Sequence, residues 1–177
     1  DVARSLLQGR GLRVRNMPSD YQKILYPLCI LPALLLKSTA AQITAIGWLN
    51  AAYMASAVFP AYALAKTMRM NPRRTAFLVG VTAVLPTMSA ASTFMSETVF
   101  LPLSLWQIYF LLRAMQATPK ARVGWCAAAG VWCYLLYLNK EVALYYLIAW
   151  VLVRAWVLWQ DRSSWRAELA CNAALFG

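Results

Sequence analysis

The sequence contains no histidine, which removes the commonest metal ligand and the commonest general base from its chemistry. It is also poor in acids: 6 Asp and Glu stand against 17 Lys and Arg in 177 residues. Charged residues make up only 13% of the chain, where a soluble domain carries roughly 25%. No cleavable signal peptide is visible in the sequence. The four cysteines do not form the pattern of a disulfide framework. Cys126 and Cys133 lie seven apart on one side of an apolar helix, and Cys29 sits inside another apolar run. They read as buried thiols acting as small hydrophobes. The chain starts at Asp1 rather than Met, and is read as a fragment or processed piece.

What the chain does contain is apolar residues, at 62%. A net charge of +11 raises nucleic acid as a partner, but nucleic-acid binders gather their basic residues into a dense patch. Here the basic residues are scattered at the ends of apolar stretches, the pattern of membrane topology signals. The expected fold is therefore an all-α, polytopic transmembrane helix bundle, because an open sheet leaves backbone groups unsatisfied in lipid. The expected organisation is a basic lead-in over 1–20, a transmembrane helical domain over 21–160 and a C-terminal tail over 161–177.

Five apolar segments are clear: 43–64, 75–95, 98–112, 123–138 and 142–158. A sixth, 24–36, is thirteen residues long and holds Pro27 and Pro32, whereas a span needs about 20 residues. It is either a short span or a juxtamembrane helix; charge favours the first, length and prolines the second. The linkers alternate in charge. Lys66, Arg69, Arg73, Arg74, Arg113, Lys120, Arg122, Arg154, Arg162 and Arg166 fall on one side, and Lys37 and Lys140 on the other. The positive-inside rule then places the turns of Glu97, Lys140 and Glu141 outside, in a multi-pass plasma-membrane protein.

Glu97 follows Ser96 where one apolar run gives way to the next. It is either a helix-start acid favoured by free amides or an acid facing a cavity. Lys140 and Glu141 form the other turn on that side, beside Asn139. Lysine offers a point charge to a phosphate, while Glu97 or Glu141 orients a hydroxyl. Tyr26 lies early in the short apolar run, just after Asp20 and Tyr21. The substrate-binding candidates are thus Glu97, Lys140, Glu141, Asn139 and Tyr26. No catalytic base is identifiable, and no metal site, although the chemistry is compatible with a divalent metal. Gly47, Ala51 and Ala55 suggest a small face for close helix packing. Trp125, Trp150, Trp156 and Trp159 suggest interfacial aromatics.

YPLCILPALLL at 26–36, WLNAAYMASAVFPAYALAK at 48–66, LPTMS at 85–89 and MSETVFLPLSLW at 95–106 resemble part of a polytopic C-type-fold glycosyltransferase. The resemblance covers roughly 20–145. It implies sugar transfer from a polyprenyl-phosphate donor at the outer membrane face, with Glu97 near the donor and acceptor cavity and Lys140 near the lipid phosphate. The implied partners are membrane lipids and a polyprenyl-phosphate-linked sugar, with no nucleic acid. The first span and acidic outer loop of that family are missing, so whether the chain is an enzyme stays open. The alternatives are a small transporter or lipid-handling membrane protein, and a non-catalytic structural membrane subunit.

Overall fold

The computed structural model describes residues 2–14, 17–18, 23–84, 95–160 and 173–175. The lead-in holds helix α1 (Val2–Leu7) and a minimal antiparallel pair, β1 (Arg13–Val14) and β2 (Met17–Pro18), with Arg13 opposite Pro18. Gly9 and Gly11 adopt positive φ between them, a conformation open to glycine at no Cβ cost. Val2, Ala3 and Ser5 of α1 are buried against the next helices, and Arg4 donates to Gln42 Oε1 at 3.2 Å.

The apolar run 24–36 forms two short helices, α2 (Leu25–Cys29) and α3 (Leu31–Leu34), with Ile30 between them. Pro32 sits in the first turn of α3, where a missing N–H costs nothing. Neither piece approaches the length of a span.

Helix α4 (Thr39–Ala55) starts at Ser38, whose Oγ accepts from the Ala41 N–H at 3.1 Å, a side-chain cap on an otherwise orphan donor. It buries Ile46, Asn50 and Met54, one stripe at four-residue spacing. The small face of Gly47, Ala51 and Ala55 is not the packing face. Ala51 and Ala55 are exposed, and a Cβ at Gly47 would meet nothing within 4 Å.

The segment 43–64 is not continuous: α4 stops at Ala55, and α5 (Val58–Thr67) follows. Pro60 explains the break. It has no N–H to offer the Ser56 carbonyl, and its ring crowds that carbonyl; the carbonyl accepts from Phe59 at 3.1 Å instead. Helix α6 (Pro72–Ala83) opens with Asn71 Oδ1 accepting from the Arg74 N–H at 2.8 Å and Pro72 in its first turn. The Pro86 and LPTMS part of the expected 75–95 segment lies outside the described residues.

Helix α7 (Glu97–Gln116) is the centre of the molecule, packed against α4, α5 and α8 (Pro119–Tyr137). Small residues let α8 approach it closely. Cys126 and Ala129 pack with Ala114, Trp150 and Leu175 in one cluster; Cys133, Leu136 and Ala143 form a second. Trp132 Nε1 donates to the Leu103 carbonyl at 2.9 Å between the two. A 3₁₀ turn, Glu141–Ala143, leads into α9 (Leu144–Gln160), whose Leu144, Ile148, Leu152 and Trp156 remain exposed.

The expected bundle of five spans plus a sixth short one is therefore corrected. Among the described residues, one helix, α7, is long and apolar enough to cross a membrane. The reason differs from segment to segment. The proline break divides 43–64. The 12 residues of α6 rise only about 18 Å. The first turn of α8 carries Lys120 and Arg122, and α9 stops at 17 residues. The disulfide expectation changes too: Cys29 and Cys133 are free, but Cys126 is disulfide-bonded. The tryptophans do not act as one set. Trp150 is buried and Trp125 packs in the core, whereas Trp156 and Trp159 are exposed.

Candidate functional site

The α7–α8 pair brings the start of α7 against the turn that follows α8. Asn139 Nδ2 donates to the Ser96 carbonyl at 3.0 Å, and Lys140 Nζ donates to Glu97 Oε1 at 2.5 Å. Two consecutive residues of one turn thus hold two consecutive residues of the other. The same turn anchors the N-terminal elements. The Leu25 N–H donates to the Leu138 carbonyl at 3.1 Å, and Lys23 Nζ lies 3.1 Å from Glu141 Oε1.

Beneath these charges runs a neutral chain. Asn50, 1% exposed, places Nδ2 3.2 Å and Oδ1 3.3 Å from the Tyr26 hydroxyl. The Thr98 hydroxyl lies 3.3 Å from Asn50 Oδ1 and 3.0 Å from the Met95 carbonyl. These links join α2, α4 and α7 at one point, in a setting where an unmet polar group is costly.

The electrostatics follow from the pairing. The hydrogen bond from Lys140 is the largest influence on Glu97, holding its carboxyl below the usual carboxylate range; its own backbone amide adds to this, while partial burial opposes it. Burial pushes the Tyr26 hydroxyl up, the Asn50 hydrogen bond opposes this, and the Glu97 charge nearby raises it further. Lys140 Nζ also sits 5.8 Å from the centroid of the Phe100 ring, within cation–π range. Ser96 precedes α7 as a cap residue should, but its side chain makes no capping bond.

One group is left over. Asn139 is 1% exposed, and its Oδ1 has no hydrogen-bond partner. A buried carbonyl oxygen in that state costs on the order of 1–3 kcal/mol and calls for a donor.

All five sequence candidates therefore meet at one end of the helices, in different positions. Glu97, Lys140 and Glu141 are partly or largely exposed, Asn139 is buried, and Tyr26 is buried against Asn50. Asp20 and Tyr21 lie outside the described residues. Sequence reasoning missed the roles of Lys23, Asn50 and Thr98. A buried asparagine inside the apolar 43–64 segment was the available signal for Asn50; Lys23 and Thr98 gave none. Among the described residues, no group of three or more His, Cys, Asp and Glu side chains comes together.

No family model matches the chain, and no curated protein and no solved structure matches it. With a single candidate membrane helix among the described residues, this overturns the likeness to C-type glycosyltransferases and the polyprenyl-phosphate sugar transfer drawn from it. The transporter, lipid-handling and structural membrane-subunit alternatives assumed the same polytopic bundle and fall with it. So do membrane lipids and a polyprenyl-phosphate-linked sugar as partners. The multi-pass plasma-membrane localisation, with the Glu97 and Lys140 turns outside, needed alternating spans that these helices do not supply.

Proposed function

We propose that the Glu97–Lys140 end is a non-covalent binding site for a small zwitterion, a molecule bearing an ammonium and a carboxylate. The observation that carries this reading is the unpartnered buried oxygen of Asn139 beside an ion pair that is itself partly exposed. A ligand with a single charge replaces one half of the pair and strands the other half. A zwitterion meets both: its carboxylate takes Lys140, its ammonium takes Glu97, and a spare N–H reaches Asn139 Oδ1 once the pair has parted. The local charges support a ligand of no net charge, because Lys23 and Lys140 balance Glu97 and Glu141.

Binding fits these residues better than proton-transfer catalysis. A carboxylate held below its usual range is a weak base and stays ionised at neutral pH, whereas a general base works best with a pKa near the operating pH. The test is titration calorimetry of the purified chain against α-amino acids, with their decarboxylated amines and deaminated acids as controls. Saturable binding of an amino acid, lost in both controls and in the Glu97→Gln, Lys140→Met double variant, is expected. Equal binding of amino acid and amine, or no binding of any α-amino acid, would sink the proposal.

A further inference from the structure

The opposite end of the helices has a different chemistry. The turn after α5 and the end of α7 enclose a space of about 480 Å³, lined by Arg69, Arg113 and Gln116 among others. Lys66, Arg73, Arg74, Lys120 and Arg122 lie within a few residues of it in sequence. The two acids among the described residues, Glu97 and Glu141, are both at the far end.

Helix dipoles do not account for this charge. Helices α5 and α7 end here and α6 and α8 begin here, so their terminal half-charges, roughly −0.5 and +0.5 each, cancel. Arg113 is held in place by its stacking on Trp125, 5.0 Å from the ring centroid, yet its Nε is buried without a hydrogen-bond partner. Arg69 is the more telling residue. It is the non-glycine residue with positive φ among the described residues, at 55°. A side chain in the left-handed region costs energy that glycine avoids. The cap of α5 imposes this φ, with the Met70 N–H donating to the Ala65 carbonyl at 3.0 Å, so the cap fixes where the Arg69 backbone stands at the rim of the space. Two guanidiniums, one pre-positioned by an aromatic ring and one at the end of α5, line a shared space, and neither acid among the described residues lies beside them.

We propose that this space binds a phosphate dianion, either inorganic phosphate or the phosphate of a small monoester, between the guanidiniums of Arg69 and Arg113. Planar guanidinium forks match the oxygen geometry of phosphate and can bond it in pairs. Gln116, which also lines the space, carries an amide that can add a donor. The space exceeds what phosphate itself fills, which favours a monoester, with its organic part resting on Met68 and Ala117.

The experiment is calorimetry of the purified full chain with inorganic phosphate and with phenyl phosphate, at fixed ionic strength set with chloride. One-to-one binding of either probe is expected, with phenyl phosphate tighter if the monoester is the natural form and phosphate at least equal if it is not. Arg69→Gly should weaken binding at least tenfold while leaving the melting temperature unchanged or higher, since glycine suits that φ. Arg113→Lys, which keeps the charge and loses the fork, should also weaken it. Absence of saturable binding by both probes, or binding by Arg69→Gly as tight as by the unaltered chain, overturns the proposal.

Discussion

At the end where α7 begins, Lys140 and Lys23 each meet a carboxylate, at 2.5 and 3.1 Å. At the end where α7 stops, Arg69 and Arg113 border a polar space, and no described acid is near. The paired end is built on hydrogen bonds that join four separate chain segments. At the basic end, Arg69 lies in the turn after α5 and Arg113 in the last turn of α7, stacked on Trp125. Charge at the first end is paired within the fold; charge at the second has no partner among the described acids. Substitutions should therefore cost stability at the first end and leave it intact, or raise it, at the second.

The largest effect is expected at Asn50. Asn50→Ala removes the group that meets both Tyr26 and Thr98, leaving the buried tyrosine hydroxyl without its partner. A loss of about 2–4 kcal/mol in unfolding free energy should follow, read by chemical denaturation. A loss below about 1 kcal/mol would show that the neutral chain is peripheral to the paired end.

Gln107 separates the two regions and tests the middle of α7. It is fully buried, and neither end of its amide has a partner. It lies on the same face as Leu103, Phe110 and Ala114, at spacings of four, three and four. Gln107→Leu keeps the volume and removes the unmet polar atoms, so a gain of about 1–2 kcal/mol is expected. Destabilisation would show that this amide has a partner when the protein is in solution.

The third prediction has the opposite sign from the first. Arg69→Gly should raise unfolding free energy by up to about 1 kcal/mol, measured by thermal melting without phosphate. A clear loss would mean that Arg69 serves the fold, erasing the contrast between the ends.

The smallest effect concerns the ion pair itself. Lys140→Met should cost no more than about 1 kcal/mol at neutral pH, because the pair is partly exposed and screened by solvent. Its pH dependence is more specific. The folded-state Glu97 carboxyl sits below its ordinary value of 4.5. Its contribution is thus present above that value and is lost as pH falls from 4.5 through the lower folded-state value. The unaltered chain should lose more stability over that acid range than Lys140→Met does; equal acid limbs would remove the pair from the account.

Much of the site's membership was legible in the sequence. Glu97 and Glu141 stand out because so few acids are present, and Lys140 because it falls with Glu141 at a break between apolar runs. The structure adds the contacts that periodicity does not carry. Tyr26 meets Asn50 across 24 residues, and Asn139 meets Ser96 across 43. Spacing also misled where two patterns overlapped. Gly47, Ala51 and Ala55 share a four-residue repeat with Ile46, Asn50 and Met54, and the larger stripe is the one buried. Apolar composition misled over continuity: 43–64 reads as one segment, yet Pro60 divides it.

By itself, the sequence determined the helical character of the chain and the gathering of basic residues into alternate linkers. Those are local properties, set by backbone chemistry and the order of residues. Only the tertiary structure decided which charges are neutralised. An ion pair depends on two side chains coming within about 4 Å, and packing of α7 against α8 brings Lys140 to Glu97 while leaving Arg69 and Arg113 beside an open space.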